Sequence, residues 1–276
     1  MRINFRALNF AGELHSILNG KKEFEMDSVI NSLEESWQAC PPELFDYISQ
    51  KANGKSCNYR SLIWELFLWN LLNLANCKVS YEYRDSLSDK SIDFLVKSGQ
   101  DCIFLMEATS IGPNDDNLLN YVQESDEYLM KRRESLHSKV PKLASGRNIA
   151  SVLALSDSYS RFPDTVFDKI QLLYGRPAVR INTENRETSM VLADLGFWSS
   201  SYSQEAMFDA VLLGFGIFPG YSSTQRMQLW LNPESLNPLN IIEFPLDVDF
   251  YKTTESDVWM TNSLSAYEWK KISIYS

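Results

Sequence analysis

The most informative stretch of this chain is residues 91–112, SIDFLVKSGQDCIFLMEATSIG. Its two halves are rich in β-branched and aromatic residues, and a short turn containing Gly99 separates them, which predicts two antiparallel strands. Each predicted strand carries one carboxylate among apolar neighbours, Asp93 in the first and Glu107 in the second. A turn centred near residue 99 or 100 brings position 93 opposite position 106, give or take one, so we expect the two carboxylates to lie close together.

Two carboxylates this close repel each other and have to be neutralised, either by a proton or by a divalent cation. Apolar residues flank Asp93 and Glu107 on both sides, which favours burial over the alternative of two acids on a solvent-facing side of the sheet. Buried acids cluster at functional sites, although structural networks also hold them.

A third acid, Glu65, lies in the apolar run LIWELFLWNLLNL at residues 62–74, which predicts a core helix. An ionised side chain is costly there unless it has a partner. Together with the pair on the strands, Glu65 predicts one oxygen-lined site, and such a site suits Mg²⁺ or Mn²⁺. A salt bridge to Arg60 or Lys78 is the alternative for Glu65.

Nitrogen and sulfur ligands are scarce in this sequence. The chain has two histidines, His15 and His137, so a site of several histidines cannot be built and a histidine-based nucleophilic triad has few places to form. The four cysteines match no zinc-ligand spacing and no disulfide framework, and we expect them to be reduced core residues. Any metal is therefore expected to be held by oxygen atoms.

The composition is that of a folded protein outside the membrane. At 276 residues the chain is near the length at which a single core stops growing, so one large domain is expected. The apolar run at 62–74 is too short to span a bilayer. The first residues lack the apolar stretch and the cleavage site of a signal peptide. We therefore expect a cytoplasmic location and no membrane partner.

The charge is unevenly distributed. A net charge of −10 argues mildly against general nucleic-acid coating, which depends on neutralising phosphates. Residues 126–150 nevertheless carry a basic excess, which is compatible either with a phosphate-facing patch or with a solvated helix face. The basic residues of this segment are Lys131, Arg132, Arg133, Lys139, Lys142 and Arg147.

The order of predicted elements indicates an α/β (α+β) fold. The helix at 62–74 is followed by a meander of three strands, a long polar helix and a buried strand. Weaker patterns predict a short helix and two further strands, and the tail from 240 is mixed. The predicted ranges are 78–84, 91–97 and 102–110 for the meander, 115–138 for the polar helix, 148–156 for the buried strand, and 164–174, 208–218 and 225–232 for the weaker elements.

Two parts of the chain are expected to form one compact unit. Residues 1–57 are predicted to be a helical N-terminal extension, ending in a loop. Residues 58–276 are predicted to hold the sheet together with a mixed C-terminal elaboration. No linker separates the tail as a second domain.

The arrangement of the acids resembles the PD-(D/E)xK nuclease superfamily, which has the restriction-endonuclease-like fold. The resemblance covers about residues 60–156: an acid on the first helix, Ile92–Asp93 on one meander strand and Glu107–Ala108–Thr109 on the next. It implies a core of helix, three-stranded meander, helix and strand. It also implies that Asp93, Glu107 and the Ala108 carbonyl are metal ligands, with Glu65 as an accessory acid and ligand.

The same resemblance implies Mg²⁺- or Mn²⁺-dependent hydrolysis of phosphodiesters in nucleic acid, with DNA favoured. In this chain Thr109 stands in the place of the motif lysine, and isoleucine stands in the place of the proline before the aspartate. Threonine cannot supply a cation, so a relocated lysine would have to help. Lys97 lies on the strand of Asp93, whereas Lys131 and Lys139 lie on the following predicted helix.

Two other functions remain open at this point. A degenerate member of the superfamily would bind nucleic acid or protein without cleaving, and an acidic protein-binding module or DNA mimic would have no metal affinity. The first is distinguished from a nuclease by whether a lysine ammonium reaches the acidic pair. A homodimer would provide two active sites for duplex cleavage, whereas one active site suffices for nicking.

Overall fold

The protein has a mixed α/β fold built on one large sheet. The structure, a computed structural model, describes residues 38, 40–42, 44, 46, 59–84, 90–99, 102–111, 133–143, 147–157, 166–175, 177–192, 196–198, 207–215, 227–253, 258–261 and 269–272. None of the helices in these ranges is long and apolar enough to cross a membrane.

A helix and three antiparallel strands begin the described part of the sheet. Helix α1 (Tyr59–Leu74) is followed by β1 (Lys78–Arg84), β2 (Ser91–Ser98) and β3 (Cys102–Ile111). The strands pair in sequence order as the predicted meander, with Lys97 opposite Ile103 across the β2–β3 turn. Gly99 in that turn has φ 65°, which glycine adopts without steric cost.

The remaining elements extend this sheet and add a small second one. They are β4 (Ala150–Asp157), α2 (Val166–Leu173), β5 (Pro177–Ile181), β6 (Thr188–Leu192), β7 (Ala210–Phe215), β8 (Met227–Leu231), β9 (Val248–Thr253), β10 (Val258–Thr261) and β11 (Lys270–Ile272). The large sheet has the order β1-β2-β3-β4-β7-β8-β9-β10-β11, and β5 pairs with β6 alone. Strand β4 runs parallel to both β3 and β7, so the centre of the sheet is parallel and both ends contain antiparallel pairs.

Several predicted elements are confirmed and two regions differ. The predicted strands at 78–84, 91–97, 102–110 and 148–156 are all present within about two residues of their predicted ends. The hairpin of β5 and β6 was not predicted, and the mixed tail contributes β9, β10 and β11 to the sheet. Of the predicted helix at 115–138, residues 133–137 are helical and residues up to 132 lie outside the described residues. Nearly all of residues 1–57 also lie outside them.

Both faces of the sheet are covered, which explains why its central strands are apolar throughout. On one face, α1 packs against Phe94, Phe104, Met106 and neighbouring side chains. On the other face, residues 133–143 and α2 pack against a second group that includes Leu105, Leu153 and Leu155. The side chains from Ile92 to Val96 on β2 and from Phe104 to Thr109 on β3 are therefore buried on both faces.

A buried polar cluster joins the starts of β4 and β7. Asp209 Oδ2 accepts hydrogen bonds from Arg147 Nη2 at 3.0 Å, Ser151 N at 2.8 Å and Ser151 Oγ at 2.9 Å. Ser235 Oγ, in the loop after β8, donates to Asp209 Oδ1 at 2.6 Å. The ion pair of Arg147 and Asp209 is nearly inaccessible to solvent, so each charge depends on the other for its neutralisation.

Candidate active site

Strands β2 and β3 part at the position of the two acids. Their pairing ends at Phe94–Met106, whereas β3 continues to Ile111 alongside β4. Beyond this point the Ala108 N–H donates to Asp93 Oδ2 at 2.7 Å, so a side chain of β2 accepts the bond. The Asp93 N–H donates in turn to Glu107 Oε2 at 3.4 Å. The predicted proximity of Asp93 and Glu107 is thus confirmed.

Both carboxylates are buried. Asp93 is 4 % exposed and Glu107 is 0 % exposed, so the alternative of two solvent-facing strand acids is wrong. Burial in a medium of low dielectric makes the repulsion between the two charges stronger than it would be in water. The pair therefore depends on neighbouring cations, protons or hydrogen-bond donors.

Two lysine ammonium groups provide such cations. Lys139 Nζ lies 3.1 Å from Glu107 Oε1, and Lys142 Nζ lies 2.5 Å from the same oxygen. Lys139 precedes a 3-10 turn, Val140–Lys142, and Lys142 is its last residue; the buried side chain of Val140 anchors the turn. In a 3-10 turn the side chains at positions i and i+3 eclipse, so both lysines extend in the same direction.

Lys139 is one of the three lysines predicted to replace the motif lysine, whereas Lys142 was not predicted for the site. A signal for Lys142 is present in the sequence: residues 139–142 read KVPK. The proline favours the first positions of a helical turn, and the i, i+3 spacing brings both lysines to one side. The KVPK pattern does not itself indicate Glu107, because the contact depends on how this segment packs over β3.

The electrostatic balance at Glu107 is unusual for a carboxyl group. Burial, and to a smaller extent the charge of Asp93, raise the pKa of Glu107 to about 7, although Lys142 and Lys139 act to lower it. The two ammonium groups therefore do not fully offset the loss of hydration. Glu107 therefore holds its proton more tightly than an ordinary carboxyl group does.

Glu65 is buried as predicted but has a different environment. Its side chain on α1 is 3 % exposed, and Tyr81 Oη donates to Glu65 Oε2 at 2.7 Å. Within the described ranges, no three side chains of the His, Cys, Asp and Glu types form a group that could hold a metal ion. Glu65, Asp93 and Glu107 therefore do not form the expected three-acid group, and the hydrogen bond to Tyr81 gives Glu65 a partner.

The other residues predicted for the site are placed as follows. Thr109 is buried two positions after Glu107 and so lies on the same face of β3. The main-chain nitrogen of Ala108 is bound to Asp93, as described above. Lys97 is exposed near the opposite end of β2, roughly 13 Å along the strand from Asp93, so it is not the relocated lysine. Lys131 lies outside the described residues.

The backbone next to Asp93 is strained. Glu82 has φ 49°, which is uncommon for a residue other than glycine. It lies between the pairs Tyr81–Phe94 and Tyr83–Ile92, opposite Asp93. Such conformations cost of the order of 1–3 kcal/mol and are concentrated at functional sites. The strain thus coincides with the point at which β2 leaves β3.

The basic residues of 126–150 that the structure describes all have internal partners. Arg133 is buried and donates to the main-chain oxygens of Gln171 and Leu172, at the end of α2. Arg147 is paired with Asp209, and both lysines of the 3-10 turn are paired with Glu107. Arg133 and Arg147 are therefore buried structural residues, whereas Lys139 and Lys142 are paired with Glu107 and remain about a quarter exposed.

Two carboxylates are part of the donor set that a divalent cation of the magnesium type uses in proteins. Mg²⁺ is commonly held by one or two carboxylates, with waters and substrate phosphates completing its shell. The Asp93 N–H donates a hydrogen bond to the Glu107 carboxylate, so the two acids are adjacent, and the Lys139 ammonium group adds a positive charge beside Glu107.

No protein-family model, curated protein or solved structure matches this chain.

Proposed function

We propose that this protein is a divalent-metal-dependent nuclease with a restriction-endonuclease-like core. The observation that carries the proposal is the Lys139 ammonium group, 3.1 Å from Glu107, beside a buried pair of acids on adjacent strands. The acids Asp93 and Glu107 would hold Mg²⁺ or Mn²⁺, and the Ala108 carbonyl would provide a further oxygen. Two carboxylates and a lysine are the groups that the resemblance to PD-(D/E)xK nucleases implies.

The order of elements supports the core that we propose. Helix α1, the meander of β1, β2 and β3, the helical residues 133–137 and β4 follow one another, with β4 parallel to β3. Helix α1 lies on one face of the sheet and residues 133–143 lie on the other. This arrangement places the acids in the interior and the lysine segment directly over Glu107.

Each residue has a defined part in the proposed reaction. A bound divalent cation would activate water and stabilise the charge that develops on the phosphate. The Ala108 N–H donates a hydrogen bond to the Asp93 carboxylate and so orients it, although the regular pairing of β2 and β3 has already ended at this position. Lys139 would bind a phosphate oxygen or orient the attacking water, and it would supply the positive charge that the hydroxyl of Thr109 lacks. We assign Glu65 a structural part through Tyr81.

Further properties accompany this proposal as predictions. DNA is the favoured substrate, the location is expected to be cytoplasmic, and a homodimer would bring two sites to a duplex. The division into an extension at 1–57 and a nuclease domain at 58–276 is also a prediction.

The direct test is cleavage of plasmid DNA, single-stranded DNA and structured RNA with Mg²⁺ or Mn²⁺. We expect metal-dependent cleavage that disappears in Asp93→Asn and Glu107→Gln. Loss of a general acid or base commonly lowers the rate about 10²- to 10⁴-fold, and we expect Lys139→Gln to fall in this range. Lys97→Gln is the matched control, because Lys97 is an exposed lysine on the strand of Asp93.

A second candidate function is favoured by Thr109, which stands where the motif lysine would be. In that case the protein is catalytically inactive and uses the former active site to bind nucleic acid or another protein. Wild-type protein that binds Mn²⁺ but cleaves none of the three substrates would support this function and contradict the nuclease.

A further inference from the structure

Glu107 already has cations bound before any metal arrives. Its Oε1 contacts the ammonium groups of both Lys139 and Lys142, and its Oε2 accepts from the Asp93 N–H. The Glu107 side chain is 0 % exposed, whereas the lysine side chains are 25 % and 26 % exposed. Both lysines therefore link the buried Glu107 carboxylate to the solvent-exposed surface.

The cluster contains cationic groups without a metal. Both ammonium groups, of Lys139 and Lys142, contact Glu107 Oε1, whereas Asp93 Oδ2 accepts from the Ala108 N–H. A divalent cation added to this arrangement would be attracted by the acids and repelled by the lysines at short range and in a low dielectric. Departure of an ammonium group from Glu107 Oε1 would therefore favour binding of the cation.

We propose that Lys139 and Lys142 are internal counterions that occupy the cation-binding side of Glu107 until a phosphodiester of the nucleic acid draws them away. The proposal rests on the proposed nuclease function and adds that the phosphodiester and the metal ion each increase the protein's affinity for the other. Lysine is suited to this exchange, because its ammonium group is a point charge on a flexible stem. The buried Val140 holds the turn in place while the stems move.

The coupling follows from the charges. When a phosphodiester attracts the ammonium groups, Glu107 Oε1 loses its two cationic contacts and the repulsion that opposes a divalent cation falls, so the affinity for the cation rises. By linkage, a bound cation that displaces the ammonium groups makes them available to phosphate to the same degree. The protein would therefore acquire its metal together with its substrate.

The first experiment measures the affinity for Mn²⁺ alone by isothermal titration calorimetry. We expect Lys142→Met, Lys139→Met and the double variant to bind Mn²⁺ more tightly than wild type, by at least about fivefold, the lower end of ordinary coupling between ligands. Methionine retains an apolar stem, so the packing of the turn is preserved. Lys97→Met is the matched control and should bind as wild type does. Unchanged or weaker affinity in the double variant would overturn the proposal.

The second experiment measures binding of a labelled single-stranded DNA oligonucleotide in EDTA by fluorescence anisotropy. Glu107→Gln should bind the oligonucleotide at least about fivefold more tightly than wild type, because both ammonium groups are released to phosphate. The additional changes Lys139→Met and Lys142→Met should abolish this gain. Equal affinity of wild type and Glu107→Gln would contradict the counterion role.

The two proposals fail in different ways. If metal-dependent cleavage is lost in Asp93→Asn while the lysine variants bind Mn²⁺ as wild type does, the nuclease stands and the counterion role is overturned. If neither wild type nor the double lysine variant binds Mn²⁺, the metal site itself is wrong and both proposals are overturned.

Discussion

The main-chain N–H of Asp93 donates a hydrogen bond to Glu107 Oε2 at 3.4 Å, although the two residues lie 14 positions apart on different strands. The reverse connection runs from the Ala108 N–H to Asp93 Oδ2 at 2.7 Å. The side chains of the acids thus continue the hydrogen bonding between β2 and β3 after the regular ladder ends. The same carboxylates therefore serve the fold as well as the proposed chemistry, and substitutions have to separate the two roles.

Asp93→Ala and Asp93→Asn are expected to separate them. Both changes remove the charge, but only asparagine keeps an oxygen that can accept from the buried Ala108 N–H. An unsatisfied buried donor costs about 1–3 kcal/mol, so Asp93→Ala should be less stable than Asp93→Asn by this amount. The free energies of unfolding in urea provide the comparison. Both variants should lack cleavage. Equal stability of Asp93→Ala and Asp93→Asn would show that the hydrogen bond does not stabilise the fold.

The metal-free protein is expected to lose stability between about pH 4.5 and about pH 7. The pKa of Glu107 is raised from 4.5 to about 7, so the folded state holds this proton more tightly than the unfolded state does. Its contribution is fully present below pH 4.5 and is lost as the pH rises to 7, by at most roughly 3 kcal/mol. Glu107→Gln is the matched control, since glutamine does not titrate.

Unfolding of wild type and Glu107→Gln in EDTA across this range provides the measurement. The difference between their free energies of unfolding should change with pH up to about 7 and then level off. A constant difference from pH 4.5 to pH 8 would show that the Glu107 pKa is not raised.

Tyr81→Phe is expected to destabilise the protein without changing its Mn²⁺ affinity. The variant loses the hydrogen bond to Glu65 Oε2 and leaves a buried acid with one donor fewer. Hydrogen bonds to charged groups contribute roughly 1.5–3 kcal/mol. Urea unfolding and calorimetry with Mn²⁺ give the two quantities. A weaker Mn²⁺ affinity in Tyr81→Phe would indicate that Glu65 contributes to metal binding. Glu65→Gln should then also lose cleavage.

Asp209→Ala is expected to be among the most destabilising single changes in the chain. It leaves the Arg147 guanidinium buried without its carboxylate, and breaking a buried ion pair in this way costs about 3–5 kcal/mol. Ser235→Ala is a graded control, since it removes one hydrogen bond to the other oxygen of Asp209. We expect a much smaller loss in Ser235→Ala, measured by thermal unfolding. Similar losses in both variants would show that the ion pair is not the stabilising element.

Local patterns in the sequence were sufficient to predict the centre of the fold. Alternation, β-branched residues and short turns identified the meander, because hairpin pairing involves neighbours along the chain. Strand β9 was missed because it pairs in parallel with β8 and with a later strand, and such pairing leaves no short-range signal. The need for glycine at 214 likewise comes from a distant segment: Gly214 lies in the regular pairing of β7 with β4, where an added Cβ would be 2.3 Å from the ring of Trp64.

The same division applies to the candidate site. The adjacency of Asp93 and Glu107 follows from the sequence, because a hairpin with its turn near residue 99 leaves few registers. The lysines that reach Glu107 come from a segment more than thirty positions further along the chain, and the partner of Glu65 comes from another element. Those contacts depend on how α1 and residues 133–143 pack on opposite faces of the sheet, and packing between distant segments leaves no periodic pattern to read.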